Sequence, residues 1–287
     1  MSGSLWRYGI VPLALFYVVF FVFPQFSFLA VSLFASTGSG QIGGSPSAAN
    51  YASILRDRFF MRAVVNTLEL GVATAIACLV IAVPIAYCIA HVPRVGKYLF
   101  ILVMATMFSS AVAMAIGWQT LLAPNGGFNG LLLAAHAVSE PLPLSANFTS
   151  VLIGSVHSAI PIAVLGLLPV FENLPRRQLD ASVGLGASQW MTFRDVIVPQ
   201  TYRGALSMGL LVFAITTSAF TTPALLGGGQ VALLPLAIRE QLLTSFNYPK
   251  AAALAVILIV LTVIVITMTR VLLRGGDAES MTLRPAR

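Results

Sequence analysis

Long apolar runs separated by short polar segments dominate this chain. No charged residue lies between Arg7 and Arg56, and Glu69 is the only Asp, Glu, Lys or Arg inside any of the later runs. A helix of about 20 residues crosses a hydrocarbon core of about 30 Å. The pattern therefore predicts an all-α, polytopic membrane protein whose six transmembrane helices lie at residues 8–34, 64–90, 98–122, 151–171, 205–226 and 251–269.

Composition supports a membrane class and a single domain. Of the 287 residues, 58% are hydrophobic and only 9% are charged, whereas a soluble domain carries about 25% charged residues. The first apolar run is too long for a signal-peptide core, so we predict that it is a retained helix. No Pro/Ser-rich linker or charge run divides the sequence. We therefore expect one transmembrane domain over residues 1–287.

The basic residues predict the orientation in the membrane. Lys and Arg concentrate in cytoplasmic loops, and the net charge of +7 is spread between apolar runs rather than gathered for nucleic acid. Placing both termini in the cytoplasm puts eleven of the 16 basic residues inside: Arg7, Arg94, Lys97, Arg176, Arg177, Arg194, Arg203, Arg270, Arg274, Arg284 and Arg287. The cluster of Arg56, Arg58 and Arg62, which then lies outside, is the one feature against this topology.

The polar segment 172–203, between the fourth and fifth predicted helices, is long for a helix connection. Pro175 suits the start of a short helix, Gly184 and Gly186 interrupt it, and Trp190 and Phe193 share one face of a second short helix. This pattern indicates an amphipathic helix–bend–helix on the cytoplasmic face, which we call the elbow. An interfacial helix lying on lipid headgroups is the alternative that the pattern leaves open.

The elbow resembles the EAA loop of ABC-importer permeases. The family pattern is Glu-Ala-Ala, three residues, Gly-Ala, and then Phe-x-x-Val-x-Leu-Pro. Two positions depart from it, because Asp180 replaces Glu and Ser182 replaces the second Ala. The resemblance implies an ATPase-coupling interface formed by the residues at the motif positions, which are Asp180, Ala181, Ser182, Gly186, Ala187, Phe193 and Pro199.

Segments elsewhere resemble the same family. Asn66-Thr67-Leu68 and Gly127-Phe128-Asn129-Gly130 resemble segments that are common in these permeases, whereas Phe220-Thr221-Thr222-Pro223 and Tyr248-Pro249-Lys250 resemble the spermidine/putrescine branch. Together they reach from the second to the sixth predicted helix. Related permeases for iron, sulfate, thiamine or aminoethylphosphonate share much of this pattern, so they remain alternatives to a polyamine importer.

The resemblance implies a division of labour in a bacterial inner membrane. The EAA loop would form a coupling helix that docks on a dimer of separate ABC ATPase subunits, which bind ATP with Mg. A second permease, usually a different chain in this branch, and an extracytoplasmic substrate-binding protein would complete the importer. The chain itself is expected to carry no cofactor and no enzymatic activity, since it has no G-x-x-x-x-G-K-[ST] phosphate-binding loop.

Five residues are candidates for the substrate path: Glu69, Tyr87, Trp118, Thr217 and Thr221. An intramembrane carboxylate is a functional hypothesis by default, but Glu69 also shares a helical face with Arg62 and can snorkel beside it. The aromatic pair can face a cation or anchor the membrane interface. The threonines can line a path or simply pack helices. The three histidines show no metal-ligand spacing, and we expect no metal site.

Two other classes of membrane protein fit less well. A secondary transporter would need coupling ionisable groups near the midplane and internal repeats. A membrane enzyme would need a nucleophile or a ligand cluster within its spans. Neither feature is present in the sequence, so an importer permease is the preferred interpretation.

Overall fold

A computed structural model describes residues 11–38 and 41–282. Helices form nearly all of it, and one short antiparallel hairpin pairs β1, Ala35–Gly38, with β2, Gln41–Gly43. The helices are α1 Val11–Val31, α2 Ala49–Arg56, α3 Arg58–His91, α4 Pro93–Met107, α5 Ala111–Leu122, α6 Gly127–Ala134, α7 Phe148–Glu172, α8 Arg176–Gly184, α9 Gln189–Ser218, α10 Thr221–Leu226, α11 Leu234–Leu243 and α12 Tyr248–Thr282.

The first predicted span is a helix with no buried side chain. Helix α1 contains a π turn at Val18–Val22 and exposes its large apolar residues, among them Phe16 and Phe20, whose rings lie 4.6 Å apart. A helix that is apolar on all sides is suited to spanning a membrane in contact with lipid. Residues 8–10 of the predicted span, and Arg7, Arg284 and Arg287 of the charge pattern, lie outside the described residues.

The described chain clusters into two compact units. The first contains residues 11–38, 41–64 and 232–261, and the second contains residues 65–231 and 262–282. In the first unit Ile54, Phe60, Leu234 and Leu254 form the core. There the ammonium of Lys250 lies 4.5 Å from the centroid of the Phe60 ring, a cation–π contact that holds a polar group at the edge of this core.

In the second unit, helices α3, α7 and α9 pack through small residues. Ala82 and Ala86 of α3 and Ala163 and Leu167 of α7 are buried in one cluster. A Cβ built on Gly71 would lie 2.6 Å from the Thr217 methyl group. In lipid the hydrophobic effect does not drive helices together, so close packing at small residues supplies much of the attraction between these three helices.

The third predicted span is not one straight helix. Helix α4 and the helical segment Ala111–Ala134, which contains α5 and α6, meet at a bend of 103°. Just after α4, the Phe108 amide donates a hydrogen bond to the Ala105 carbonyl and the Ser109 amide to the Thr106 carbonyl. Each bond reaches three residues back, and Ser110 is extended. Consecutive serines weaken a helix because their hydroxyls compete for backbone groups. The prediction of an uninterrupted helix at 98–122 was therefore wrong, although both halves are helical.

The bent pair still makes one crossing. Helices α3 and α7 run in the same direction, because Tyr87 near the end of α3 contacts Phe171 near the end of α7, at a ring separation of 6.0 Å. At the opposite ends of these two helices, Gly71 of α3 and Gly154 of α7 both lie against residues 217–226, the C-terminal part of the fifth span. The chain between two parallel spans must cross the membrane, so α4 and α5 together form the third of six spans.

Pro199, the last motif residue of the elbow, lies within a continuous helix that leads into the fifth span. Helix α9 runs from Gln189 through a π turn at Phe193–Ile197, where the Val198 amide donates to the Phe193 carbonyl. Proline removes one helical donor and crowds the preceding turn. The wider π turn directly before it accommodates the ring and keeps the helix unbroken.

The fifth predicted span also ends earlier than expected. Helix α9 stops at Ser218, Ala219 is extended with ψ of 134°, and α10 resumes at Thr221. The Ser218 hydroxyl donates to the carbonyls of Ala214 and Ile215, and Pro223 has no amide to offer the Ala219 carbonyl. These two features explain the break within residues 205–226.

The topology yields a direct test. Since α7 is the only crossing between Ala135 and Gln178, cysteines at these two positions should react from opposite sides of the membrane. In a Cys78→Ala/Cys88→Ala background, Ala135→Cys should label with an impermeant maleimide in intact spheroplasts. Gln178→Cys should label only after permeabilisation. Labelling of both cysteines from one side would contradict the six-span arrangement.

Candidate functional site

The elbow begins with a helix that ends in a Schellman motif. The Gly186 amide donates to the Val183 carbonyl at 2.9 Å, and the Ala187 amide donates to the Ser182 carbonyl at 3.1 Å. Gly186 has a φ of +85°, which a residue with a Cβ rarely adopts. A Cβ at this position would meet nothing within 4 Å, so backbone conformation, not space, requires glycine at the bend.

The second half of the elbow is joined to the first by a hydroxyl pair. Ser188 caps α9, since its hydroxyl accepts from the Met191 amide at 3.2 Å. The Ser182 and Thr192 hydroxyls lie 2.9 Å apart, and Thr192 is buried. This bond fixes α8 against the start of α9. Ser182 is one of the two departures from the family pattern, and the sequence alone did not indicate its partner.

The predicted coupling residues differ in exposure. Asp180, Ala181 and Gly186 are exposed, whereas Ala187 and Phe193 are half-buried. Phe193 packs on the core of the second unit and stacks on Trp190 at a centroid distance of 5.9 Å, as expected for residues on one helical face. Pro199 is exposed in the turn after the π segment.

Four apolar side chains project from the elbow. Leu185 is 90% exposed and Trp190 is 68% exposed, and Val183 and Met191 accompany them. We call these four residues the elbow surface. Apolar patches of this kind mark protein or membrane contacts. Around them the polar side chains of Asp180, Arg194 and Asp195 are exposed, with Arg194 and Asp195 3.8 Å apart.

The residues predicted for the substrate path do not converge. Glu69 is exposed on α3, whereas its neighbours Thr67 and Leu70 are buried. Tyr87 stands eighteen residues further along the same helix, or about 27 Å away. It stacks on His91 at 4.7 Å and contacts Phe171, next to the elbow. One small solute cannot contact both side chains at once.

The remaining path candidates are at the other end of the second unit. The Trp118 ring of α5 lies edge-on to the His157 ring of α7 at 5.8 Å. Thr217 is buried, and its hydroxyl donates to the Ala214 carbonyl at 3.1 Å while its methyl group faces Gly71. Thr221 is half-buried at the start of α10. This geometry assigns Thr217 to helix packing.

Within residues 11–38 and 41–282, no group of three or more His, Cys, Asp or Glu side chains is placed to hold a metal ion. The elbow is the most complete candidate site, since its bend, its cap and its exposed apolar residues lie on one short segment.

Comparisons with known proteins agree with this geometry. A family model described as "binding-protein-dependent transport system inner membrane component" matches residues 14–275. The spermidine/putrescine transport system permease protein PotB of Haemophilus influenzae is 29% identical over 87% of this chain and 88% of its own length. PotB of Escherichia coli K12 is 27% identical over 84% of this chain and 88% of its own length.

The fold also matches a solved structure. One chain in the crystal structure of a bacterial ABC transporter involved in the import of the acidic polysaccharide alginate superposes with a TM-score of 0.79. The superposition covers 95% of this chain and 96% of that chain, at 15% sequence identity. At that identity the likeness concerns the fold and leaves the substrate open.

Substitutions at one packed pair test the packing role of Thr217. Gly71→Val should lower membrane abundance and the detergent melting temperature, because overpacking a close helix contact costs about 1–3 kcal/mol. Thr217→Val keeps the methyl contact and loses one locally bonded hydroxyl, so abundance and transport should stay near wild type. A Thr217→Val protein of normal abundance that cannot transport would contradict the packing role.

Proposed function

Because this chain belongs to the family of binding-protein-dependent transport system inner membrane components, we propose that the solute it helps to import is a polyamine of the spermidine/putrescine class. The chain is a multi-pass inner-membrane permease subunit. The polyamine assignment is supported by the two PotB relatives, whose matches extend over most of both chains. Iron, sulfate, thiamine and aminoethylphosphonate are the competing solutes.

We infer that the elbow is the coupling element for a separate ATPase. The elbow surface is apolar and exposed, which suits the groove of a protein partner. A helix lying on headgroups would present its apolar face continuously to lipid. In this chain a left-handed glycine turns the backbone sharply between the two halves of the elbow surface. The apolar side chains therefore protrude at a bend, which is a shape that fits a groove on a protein partner.

The continuity of α9 explains how movement of the elbow would reach the membrane. Helix α9 starts in the elbow at Gln189 and ends at Ser218, so its first turns and the fifth span are one rigid helix. The Ser182–Thr192 bond ties α8 to the same body. A displacement of the elbow by an ATPase would therefore tilt the fifth span directly, without a hinge between them.

The proposed assembly contains two ATPase subunits, a second permease, and a binding protein outside. ATP and Mg would bind to the ATPase subunits in trans. ATP can shift the permease between inward-open and outward-open arrangements only through its different affinity for the two states. Both termini and the elbow would lie in the cytoplasm, and the Ala123–Ser150 connection would lie outside.

The substrate assignment is tested on the binding protein of the same transport system. Its affinity for spermidine, putrescine, thiamine, sulfate and ferric iron should be measured by calorimetry. Cellular uptake of labelled spermidine should then be compared with and without this permease. We expect a polyamine to bind at least about a hundredfold more tightly than the other solutes, a difference of about 2.7 kcal/mol. Preference for another solute would replace the polyamine assignment and leave the family unchanged.

The coupling role is tested with two glycines on the same elbow. Gly186→Val must adopt a positive φ that costs about 1–3 kcal/mol, so the bend should open and the ATPase should dissociate. Gly184→Val is the matched control, because that glycine ends α8 and has open space around it. Asp180→Ala should have a mild effect, since one polar contact contributes about 1 kcal/mol.

The measurements are ATPase retention during purification, membrane abundance, and substrate uptake for each variant. We expect Gly186→Val to lose ATPase and uptake at normal abundance, and Gly184→Val to keep both. Normal uptake with Gly186→Val would exclude the elbow as the coupling element.

A further inference from the structure

Basic side chains outnumber acidic ones in the first unit. Its described residues carry two carboxylates, those of Asp57 and Glu240, against five basic groups, those of Arg56, Arg58, Arg62, Arg239 and Lys250. These five are the basic residues that the predicted orientation leaves outside, so the preference of Lys and Arg for cytoplasmic loops does not explain them. Positive charge on this face needs another cause.

Two helices bring part of this charge to one level of the membrane. Phe60 near the start of α3 and Leu254 near the start of α12 belong to the same buried cluster, so the two helices begin side by side. The Lys250 ammonium lies 4.5 Å from the centroid of the Phe60 ring. Arg62 and Lys250 each lie just before the apolar run of their helix, which places both at the border between hydrocarbon and headgroups.

The arginines of this group have no acidic partner in the part of the chain that the structure describes. Arg56, Arg58 and Arg62 are exposed, and none of them pairs with a carboxylate there. The neighbouring Asp57 carboxylate accepts from the Phe59 amide at 2.9 Å and so caps α3 instead. The three guanidinium groups are therefore available to an anion from outside the chain.

Large apolar side chains are exposed among these arginines. Leu55 is 63% exposed and Phe59 is 53% exposed. Phe59 is three residues from Arg62 on α3 and Arg58 is four residues from it, so both side chains flank that of Arg62. An acidic protein surface would pair with the charges but would leave the aromatic ring without an apolar partner. The boundary between acyl chains and phosphates satisfies both kinds of side chain at once.

We propose that Arg58, Arg62 and Lys250 bind the phosphate of an anionic phospholipid where α3 and α12 begin, with Phe59 against the first methylenes of its acyl chains. Guanidinium groups donate to phosphate oxygens in pairs, and the ammonium adds a compact charge beside them. The excess of basic groups prefers phosphatidylglycerol to a zwitterionic lipid such as phosphatidylcholine. The site lies within the first unit and does not depend on which solute is transported.

The first test titrates the assembled importer in detergent with phosphatidylglycerol or phosphatidylcholine and counts bound lipids by native mass spectrometry. Arg58→Gln/Arg62→Gln should weaken the first phosphatidylglycerol bound by about twentyfold, since each basic residue near a bilayer surface contributes a factor of about five. Its affinity for phosphatidylcholine should not change.

The matched control for this titration is Arg94→Gln/Lys97→Gln, which also removes two exposed basic residues from the first turns of a helix, α4. This variant should bind the first phosphatidylglycerol as the wild type does. Equal losses in the two double variants would show a diffuse attraction of the lipid to surface charge and would overturn the site.

The second test separates a lipid from other anionic partners. Replacing part of the phosphatidylcholine in nanodiscs by phosphatidylglycerol should raise the melting temperature of the wild-type importer more than that of Arg58→Gln/Arg62→Gln, and equal shifts would contradict the proposal. In phosphatidylcholine alone, the binding protein of the same system should bind both importers equally. Weaker binding to the variant there would show that the arginines face a protein instead. Displacement of phosphatidylglycerol by inorganic phosphate beyond that caused by chloride at equal ionic strength would identify a free-phosphate site.

Discussion

The absence of water in the bilayer core is the constraint on which this structure depends. Every backbone amide and carbonyl there must find a partner in the chain, and only helices provide it locally. The described spans obey this rule over most of their length. Where they depart from it, the local remedies include a π turn before Pro199 and side-chain hydroxyl bonds at Ser218.

Small residues convert these helices into a bundle. Gly71 packs directly against the methyl group of Thr217, and Gly166 against the side chain of Met208, so only one side chain separates the two backbones at each contact. Contacts of this kind are close and therefore rigid. Rigidity matters for the proposed mechanism, because α9 forms both the second half of the elbow and most of the fifth span. A compliant bundle would absorb the motion that an ATPase is proposed to impose on it.

The elbow exposes apolar side chains and uses one left-handed glycine to set its shape. Helices α7 and α9 connect it to the bundle of the second unit, since Phe171 near the end of α7 lies beside Tyr87 and the elbow, and α9 begins within the elbow at Gln189.

The sequence by itself determined the class, the number of spans, the elbow and its glycine. These features are local, since hydrophobic run length reports on burial in lipid and Gly-Ala spacing reports on a bend. Tertiary structure alone decided the bend at Phe108–Ser110, the continuity of α9 through Pro199 and the Ser182–Thr192 bond. Apolar composition continues unchanged across residues 98–122, so no hydropathy pattern distinguishes a straight helix from a broken one. The break lies beside α7, where His157 and Ser158 line one pocket together with Thr106 and Ser109, and such a contact joins residues about fifty positions apart that no local pattern relates.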